Sequence, residues 1–166
     1  MSAPKNPDVL LTSLQISAFV RKGFSEIKSA PDIDKLVHFH SINKFLLMAH
    51  NYNSTRILGN IVANHEHLAL GEIFEKYGLQ LGQALKSEPS VKSHANVLQK
   101  ILGYFKKELT PEEKTEILSM IFEYKKGTIA LNDVLLLLEE MTRKFQKTYL
   151  VRQTYFLLYA KVTKSK

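Results

Sequence analysis

Apolar residues recur every three or four positions along most of this chain, which is the spacing of amphipathic α-helices. No segment shows the sustained alternation of apolar and polar residues that marks a half-buried strand. Short clusters of Pro, Gly, Asn and Ser divide the helical pattern into segments. The pattern therefore predicts an all-α fold, a single-domain helical bundle of seven or eight helices with no sheet.

Capping residues indicate where these helices begin and end. Asp32 is placed to cap the second helix, and Asn53 or Ser54 the third. Thr110, followed by Pro and two Glu, predicts a capping box, and Gly127 predicts the end of that helix. We expect helices at 9–28, 33–50, 55–64, 68–86, 91–109, 111–126 and 131–145. The last segment, 148–161, could be helical or extended, and its lack of Pro and Gly favours a helix.

The expected domain organisation is simple. Residues 1–8 are predicted to be a flexible N-terminus, residues 9–161 a single helical domain, and residues 162–166 a basic tail. A chain of 166 residues is long enough to bury a substantial core in one domain.

The run from Leu36 to His50 is apolar on every side of a helical wheel. A helix of this kind is buried among other helices, and this one is too short and too interrupted to span a membrane. It nevertheless carries His40, Asn43 and Lys44, spaced so that they share one face. Buried polar groups need hydrogen-bond partners, so either neighbouring helices or a ligand must supply them.

The formal charge of +7 is concentrated at one end of the chain. Residues 1–140 contain 16 basic and 16 acidic residues, whereas residues 141–166 contain seven basic residues and no acidic residue. A clustered positive field is typical of proteins that bind phosphate backbones or anionic surfaces. The alternative is a solvated basic tail that only aids solubility.

The composition excludes several kinds of chemistry. The chain contains no Cys, which excludes disulfides, a thiol nucleophile and any cysteine-ligated zinc or iron–sulfur site. It shows no nucleophile elbow and no Gly-rich phosphate loop, so we predict no catalytic residue, no metal site and no cofactor. Because its start does not resemble a signal peptide, we expect a cytoplasmic protein with no membrane contact.

Two basic surfaces suit RNA. The polar half of the helix at 91–109 presents lysines for phosphates, amides for bases or sugars, and Gly103 for close approach. After residue 140, basic residues alternate with aromatic ones, which suits unpaired bases that stack on rings. The opposite interpretation places the rings in the core and the lysines in solvent. The predicted RNA-binding residues are Lys92, Asn96, Gln99, Lys100, Lys106, Lys107, Arg143, Lys144, Lys147, Tyr149, Arg152 and Tyr155.

A second class of function would use buried polar residues. His94 lies in the middle of the apolar half of its helix, where a hydrogen-bonded structural histidine is the ordinary interpretation. If this helix faces the central one, the two form a His/Lys pocket for a small molecule or for catalysis. The residues of this alternative pocket are His40, Asn43, Lys44, His50 and His94.

Two long blocks of the sequence match a known pattern. FHSINKFLLMAH at residues 39–50 and HANVLQKILGYFKKEL at residues 94–109 resemble the YbgA-like family, a bacterial domain of unknown function. Weaker matches, among them YLVRQTY at residues 149–155, extend the resemblance over residues 10–156. The matching positions are Phe39, His40, Lys44, His50, His94, Asn96, Gln99, Gly103, Tyr104, Tyr124, Tyr149, Gln153 and Tyr155.

The resemblance carries expectations about function. Members of the family occur alone or fused to a domain similar to iron–sulfur desulfidases of thiolated pyrimidines, including those in tRNA. This implies an accessory role in binding tRNA-like or structured RNA, with a separate desulfidase-like enzyme as a further partner. Desulfidase activity is not carried over, because the chain has no Cys. The chain also departs from the family pattern at Ala130, Val134, Leu158 and Ala160, where the family has prolines.

Overall fold

The computed structural model describes residues 11–159, and all regular secondary structure in that part of the chain is helical. The predicted all-α fold is therefore confirmed. The helices fall into two compact units, an N-terminal unit of residues 12–89 and a C-terminal unit that begins at Ser90. The segments predicted as a flexible N-terminus (1–8) and a basic tail (162–166) lie outside the described residues.

The N-terminal unit contains α1 (Ser13–Lys28), α2 (Ile33–His50), α3 (Tyr52–Ala63) and α4 (Leu70–Lys86). Helix α2 packs against each of the other three, which explains why its sequence is apolar on every side. Six consecutive residues at its end, 45–50, are all buried. The prediction of a buried central helix is confirmed.

An aromatic cluster joins α1 to α2 and α4. The centroid of the Phe24 ring lies 5.9 Å from that of Phe39 and 5.6 Å from that of Tyr77. Gly78 permits this packing, because a Cβ at that position would lie only 3.0 Å from the Phe24 ring. The cluster therefore depends on a glycine as well as on its rings.

The C-terminal unit contains α5 (Val91–Gly103), α6 (Pro111–Lys126), α7 (Leu131–Lys144), and the short helices α8 (Thr148–Val151) and α9 (Thr154–Tyr159). Helix α7 packs against the other four. Its residues Val134, Leu135 and Leu138 are completely buried. In this unit α7 has the central position that α2 has in the other.

Several predicted helix signals are confirmed. The Asp32 side chain accepts a hydrogen bond from the Asp34 N–H at the start of α2. Thr110 and Glu113 form the predicted capping box at the start of α6. Gly127 ends α6 in a left-handed conformation, with φ of +87°.

Two predicted helix starts are wrong. Helix α3 is capped by Asn51 and not by Asn53 or Ser54, because Asn51 both ends α2 and accepts a hydrogen bond from the Ser54 N–H. Helix α1 begins at Ser13 with Thr12 as its cap, four residues later than predicted. The predicted start at residue 9 lies outside the described part of the chain.

The ends of two other predicted helices also differ. Helix α5 stops at Gly103 and not at residue 109, because Tyr104 and Phe105 bond to carbonyls three residues back and Phe105 turns into the core. The helix predicted over 148–161 is interrupted at Arg152 and Gln153, which separates α8 from α9. Among the described residues, no helix is both long and apolar enough to cross a membrane.

Gly127 provides a test of the left-handed ending of α6. A side chain in this conformation is strained by about 1–2 kcal/mol, so Gly127→Ala should lower the free energy of unfolding by about that amount. Gly103→Ala is the matched control, because a Cβ there meets no atom within 4 Å. Urea titrations of both variants check this, and equal stabilities would contradict it.

Candidate nucleic-acid interface

The exposed side of α5 carries the first predicted surface. Its inner side is buried through Ala95, Leu98 and Ile101, whereas the polar residues at 92, 96, 99 and 100 are all exposed. This spacing places them on one side of the helix, and two further lysines are exposed in the turn that follows. We call these six residues the α5 basic face: Lys92, Asn96, Gln99, Lys100, Lys106 and Lys107.

The basic residues of the second predicted surface are mostly paired with acids. Arg143 Nη2 lies 3.2 Å from Glu139, Lys144 Nζ 3.8 Å from Glu113, and Lys147 Nζ 2.8 Å from Glu108. Such pairs add little stability, but they cancel charge locally. Arg152 is exposed and forms no ion pair with any described residue. The α5 basic face therefore adds four exposed lysines to the positive charge of this unit.

Charge is divided unequally between the two units. Residues 90–166 contain 14 basic and 8 acidic residues, a formal surplus of six of the seven positive charges. Residues 12–89 contain 8 basic and 7 acidic residues. Every predicted RNA-binding residue belongs to the C-terminal unit.

Most aromatic residues near the chain end belong to the core. Tyr155 is completely buried, and its hydroxyl lies 2.7 Å from His94 Nδ1. It is not available to stack on a base, so its assignment to the RNA-binding surface is wrong. Phe156 and Tyr159 are buried as well. Tyr149 is 36% exposed and is the predicted aromatic residue that does reach the surface.

Tyr104 is a surface residue that the sequence analysis missed. It was not among the predicted RNA-binding residues, yet it is 40% exposed and its ring centroid lies 5.9 Å from that of Tyr149. Its position four residues after the exposed Lys100 could have indicated this exposure, because helical residues four apart lie on one face.

His94 has the structural role that its position predicts. Besides its bond to Tyr155, its ring contacts that of Tyr159 edge-on, with 5.0 Å between centroids. Burial, and then the nearby Tyr159 and Tyr124, raise the pKa of Tyr155 well above its ordinary value, so the phenol stays protonated. The His94 imidazole is thereby held inside the C-terminal unit.

The other residues of the alternative pocket lie on α2, in the N-terminal unit, and are bonded there. His40 Nδ1 lies 2.9 Å from the Tyr77 hydroxyl, the Asn43 amide donates to the Phe39 carbonyl, and His50 Nδ1–H donates to the Ser87 carbonyl over 2.7 Å. Lys44 is half-buried on the same helix. The residues predicted to form one pocket are thus divided between two units.

The half-buried His40 and the buried His50, both on α2, favour the neutral state. Burial, reinforced by the positive charge of Lys44, lowers the pKa of His40 to about 4. Burial also lowers the pKa of His50, against the opposing effect of its bond to Ser87. The His50 Nε2 atom is buried with no hydrogen-bond partner among the described residues.

A cavity of about 270 Å³ in the N-terminal unit offers little further chemistry. Three of its polar side chains bond to the protein itself: Lys76 pairs with Glu66 at 3.7 Å, and Asn64 bonds to both the N–H and the C=O of Leu68. The part of the chain that the structure describes contains no group of three side chains able to hold a metal ion.

An all-α fold whose inner histidines bond to tyrosine hydroxyls or to a backbone carbonyl, with an exposed basic helix face, does not define an enzyme class. Residues 44–160 match the family model described as "Protein of unknown function (DUF1722)". Since this match covers more than half of the chain, the protein belongs to that family.

Comparison with curated proteins confirms the resemblance seen in the sequence. The chain is 27% identical over 128 residues to "Uncharacterized protein YbgA" of Escherichia coli (strain K12), and the match covers 76% of each protein. No solved structure matches the chain.

The hydrogen bond between His94 and Tyr155 predicts that removing the Tyr155 hydroxyl group lowers the stability of the protein. Tyr155→Phe leaves His94 Nδ1 without this buried partner, so the free energy of unfolding should fall by about 1–3 kcal/mol. Tyr149→Phe removes the same atom at an exposed position and should change stability by less than about 0.5 kcal/mol. Chemical denaturation of both variants tests this, and a harmless Tyr155→Phe would exclude a stabilising role for the bond.

The lowered pKa of His40 predicts a loss of stability in acid. The unfolded chain binds a proton at His40 near pH 6.5, whereas the folded chain binds it only near pH 4. The free energy of unfolding should therefore fall as pH decreases through this window, by on the order of 2 kcal/mol between about pH 7.5 and pH 5. His40→Asn should weaken the dependence of the free energy of unfolding on pH. The dependence that remains is the smaller contribution of His50. An unchanged slope in denaturation curves would rule out His40 as its source.

Proposed function

We propose that this protein binds RNA through the α5 basic face and has no catalytic activity of its own. The observation that carries the proposal is that four lysine and amide side chains share the exposed side of α5, that two more lysines are exposed in the turn that follows, and that no acidic residue lies between Glu88 and Glu108. Lysine ammonium groups bind phosphates, and amides reach sugars or base edges. The face therefore offers both kinds of contact that an RNA strand requires.

The dimensions of the face suit a short stretch of nucleic acid. At 1.5 Å per residue, Lys92 and Lys100 lie about 12 Å apart along the helix axis, the rise of three to four stacked nucleotides. Gly103 ends the helix with open space around its Cα, since a Cβ there would contact nothing within 4 Å. A sugar or phosphate has room to approach the backbone at this point.

Structured or tRNA-like RNA is the partner that the family resemblance favours. Five positions of the matched pattern are exposed or open in the C-terminal unit: Asn96, Gln99, Gly103, Tyr104 and Tyr149. Their exposure supports a binding role for this surface over a packing role. A separate desulfidase-like enzyme that acts on the same RNA in the cytoplasm is a further proposed partner.

The alternative, a small-molecule or catalytic pocket, has no such support. Its residues are bonded to tyrosines and backbone carbonyls within their own units. His40→Ala and His94→Ala should accordingly leave RNA affinity within about twofold of wild type, provided that the variants are folded.

Two lysines of the α5 basic face give the test. Lys106→Ala combined with Lys107→Ala should weaken tRNA binding and make the plot of log K against log salt shallower by roughly one per lysine. Lys22→Ala combined with Lys28→Ala removes the same charge from exposed positions of the N-terminal unit and serves as the matched control.

Filter-binding titrations of tRNA at several salt concentrations measure both quantities. The control pair should retain nearly the wild-type affinity and salt dependence. Equal losses in the two double variants would show that net charge, and not this face, determines binding. No binding by the wild type at low salt would refute the proposal altogether.

A further inference from the structure

The rings of Tyr104 and Tyr149 are exposed next to each other. Binding of phosphates by lysines alone does not explain this exposure. They come from opposite ends of the C-terminal unit's sequence, yet their centroids lie 5.9 Å apart with 34° between the ring planes. Aromatic side chains normally gain stability by being buried. Here two neighbouring rings remain 40% and 36% exposed, while Phe105, Tyr155 and Phe156 of the same unit are at most 1% exposed.

The residues next to both tyrosines are fixed in the core. Phe105, which follows Tyr104, is completely buried and lies 6.0 Å from the Phe145 ring. Leu150, which follows Tyr149, is also completely buried. The ion pair between Glu108 and Lys147 joins the turn after α5 to the start of α8 at 2.8 Å. The two rings are thus held in place before any ligand binds, which lowers the entropy cost of binding.

Basic residues lie close to both tyrosines in the sequence. Lys100 precedes Tyr104 by four residues, and Arg152 follows Tyr149 by three. Both cations are exposed. A ligand that meets this surface therefore needs a flat aromatic group together with negative charge.

We infer that the Tyr104–Tyr149 pair is a stacking site for an unpaired nucleobase, with the adjacent phosphates held by Lys100, Lys107 and Arg152. This rests on the proposed RNA-binding function and specifies the form of RNA that is bound. A base in a duplex has both faces covered by its neighbours, whereas a base in a loop or single strand has a face available for a ring. The tyrosine rings are already within ordinary aromatic contact, so the base stacks on an outer face and does not insert between them.

The test uses a short oligouridylate single strand and a blunt-ended RNA duplex of equal length. Tyr104→Leu combined with Tyr149→Leu removes the rings and keeps apolar side chains of similar size. This double variant should bind the single strand about tenfold more weakly or worse, with its affinity for the duplex changed by less than about twofold. Restoring the rings as Tyr104→Phe and Tyr149→Phe should recover most of the loss.

Phe122→Leu is the matched control, since Phe122 is an aromatic residue of the same unit that is 56% exposed. Its affinity for both RNAs should equal that of wild type. Because all three positions are exposed, thermal unfolding midpoints should change little and would reveal any folding defect.

The outcomes separate the two proposals. If the double leucine variant binds the single strand as wild type does, while the Lys106/Lys107 variant binds it more weakly, the stacking site is refuted and RNA binding stands. Equal losses for single strand and duplex would also refute the stacking site. If wild type binds neither RNA at low salt, the function itself fails and the stacking site with it.

Discussion

A histidine bonded to the hydroxyl of a completely buried tyrosine lies within each unit of this protein, and the packing of both units depends on this pairing. An imidazole without a partner inside a helical core would cost about 1–3 kcal/mol. Tyr77 supplies the partner for His40, and Tyr155 the partner for His94. Both tyrosines are completely buried. The polar groups that first suggest chemistry thereby stabilise the packing of helices, whereas the polar side chains of the α5 basic face are exposed.

The distribution of charge follows the same division. The N-terminal unit is nearly neutral, and the C-terminal unit holds almost all of the surplus positive charge. Within that unit the acids Glu108, Glu113 and Glu139 pair with cations of α7 and of the segment after it.

Features set by neighbouring residues could be predicted from the sequence, and features set by distant ones could not. The all-round apolar pattern of α2 identified a buried helix, and the caps at Asp32 and Thr110 were evident from a few adjacent residues. The partners of His40 and His94 lie 37 and 61 residues away, so nothing local indicated them. Tyr155 was assigned to the surface from the alternation of basic and aromatic residues, whereas it is buried and bonded to His94, 61 residues away.

The contacts at the corner between α2 and α3 fix the length of the connection between these two helices. Asn51 is the single residue between the two helices; it ends one, caps the other, and also donates through its amide to the Ser87 hydroxyl over 3.0 Å. The preceding residue, His50, binds the carbonyl of the same serine. An insertion or deletion here would shift all of these bonds at once, so relatives that share this corner should keep its length fixed while their loops vary elsewhere.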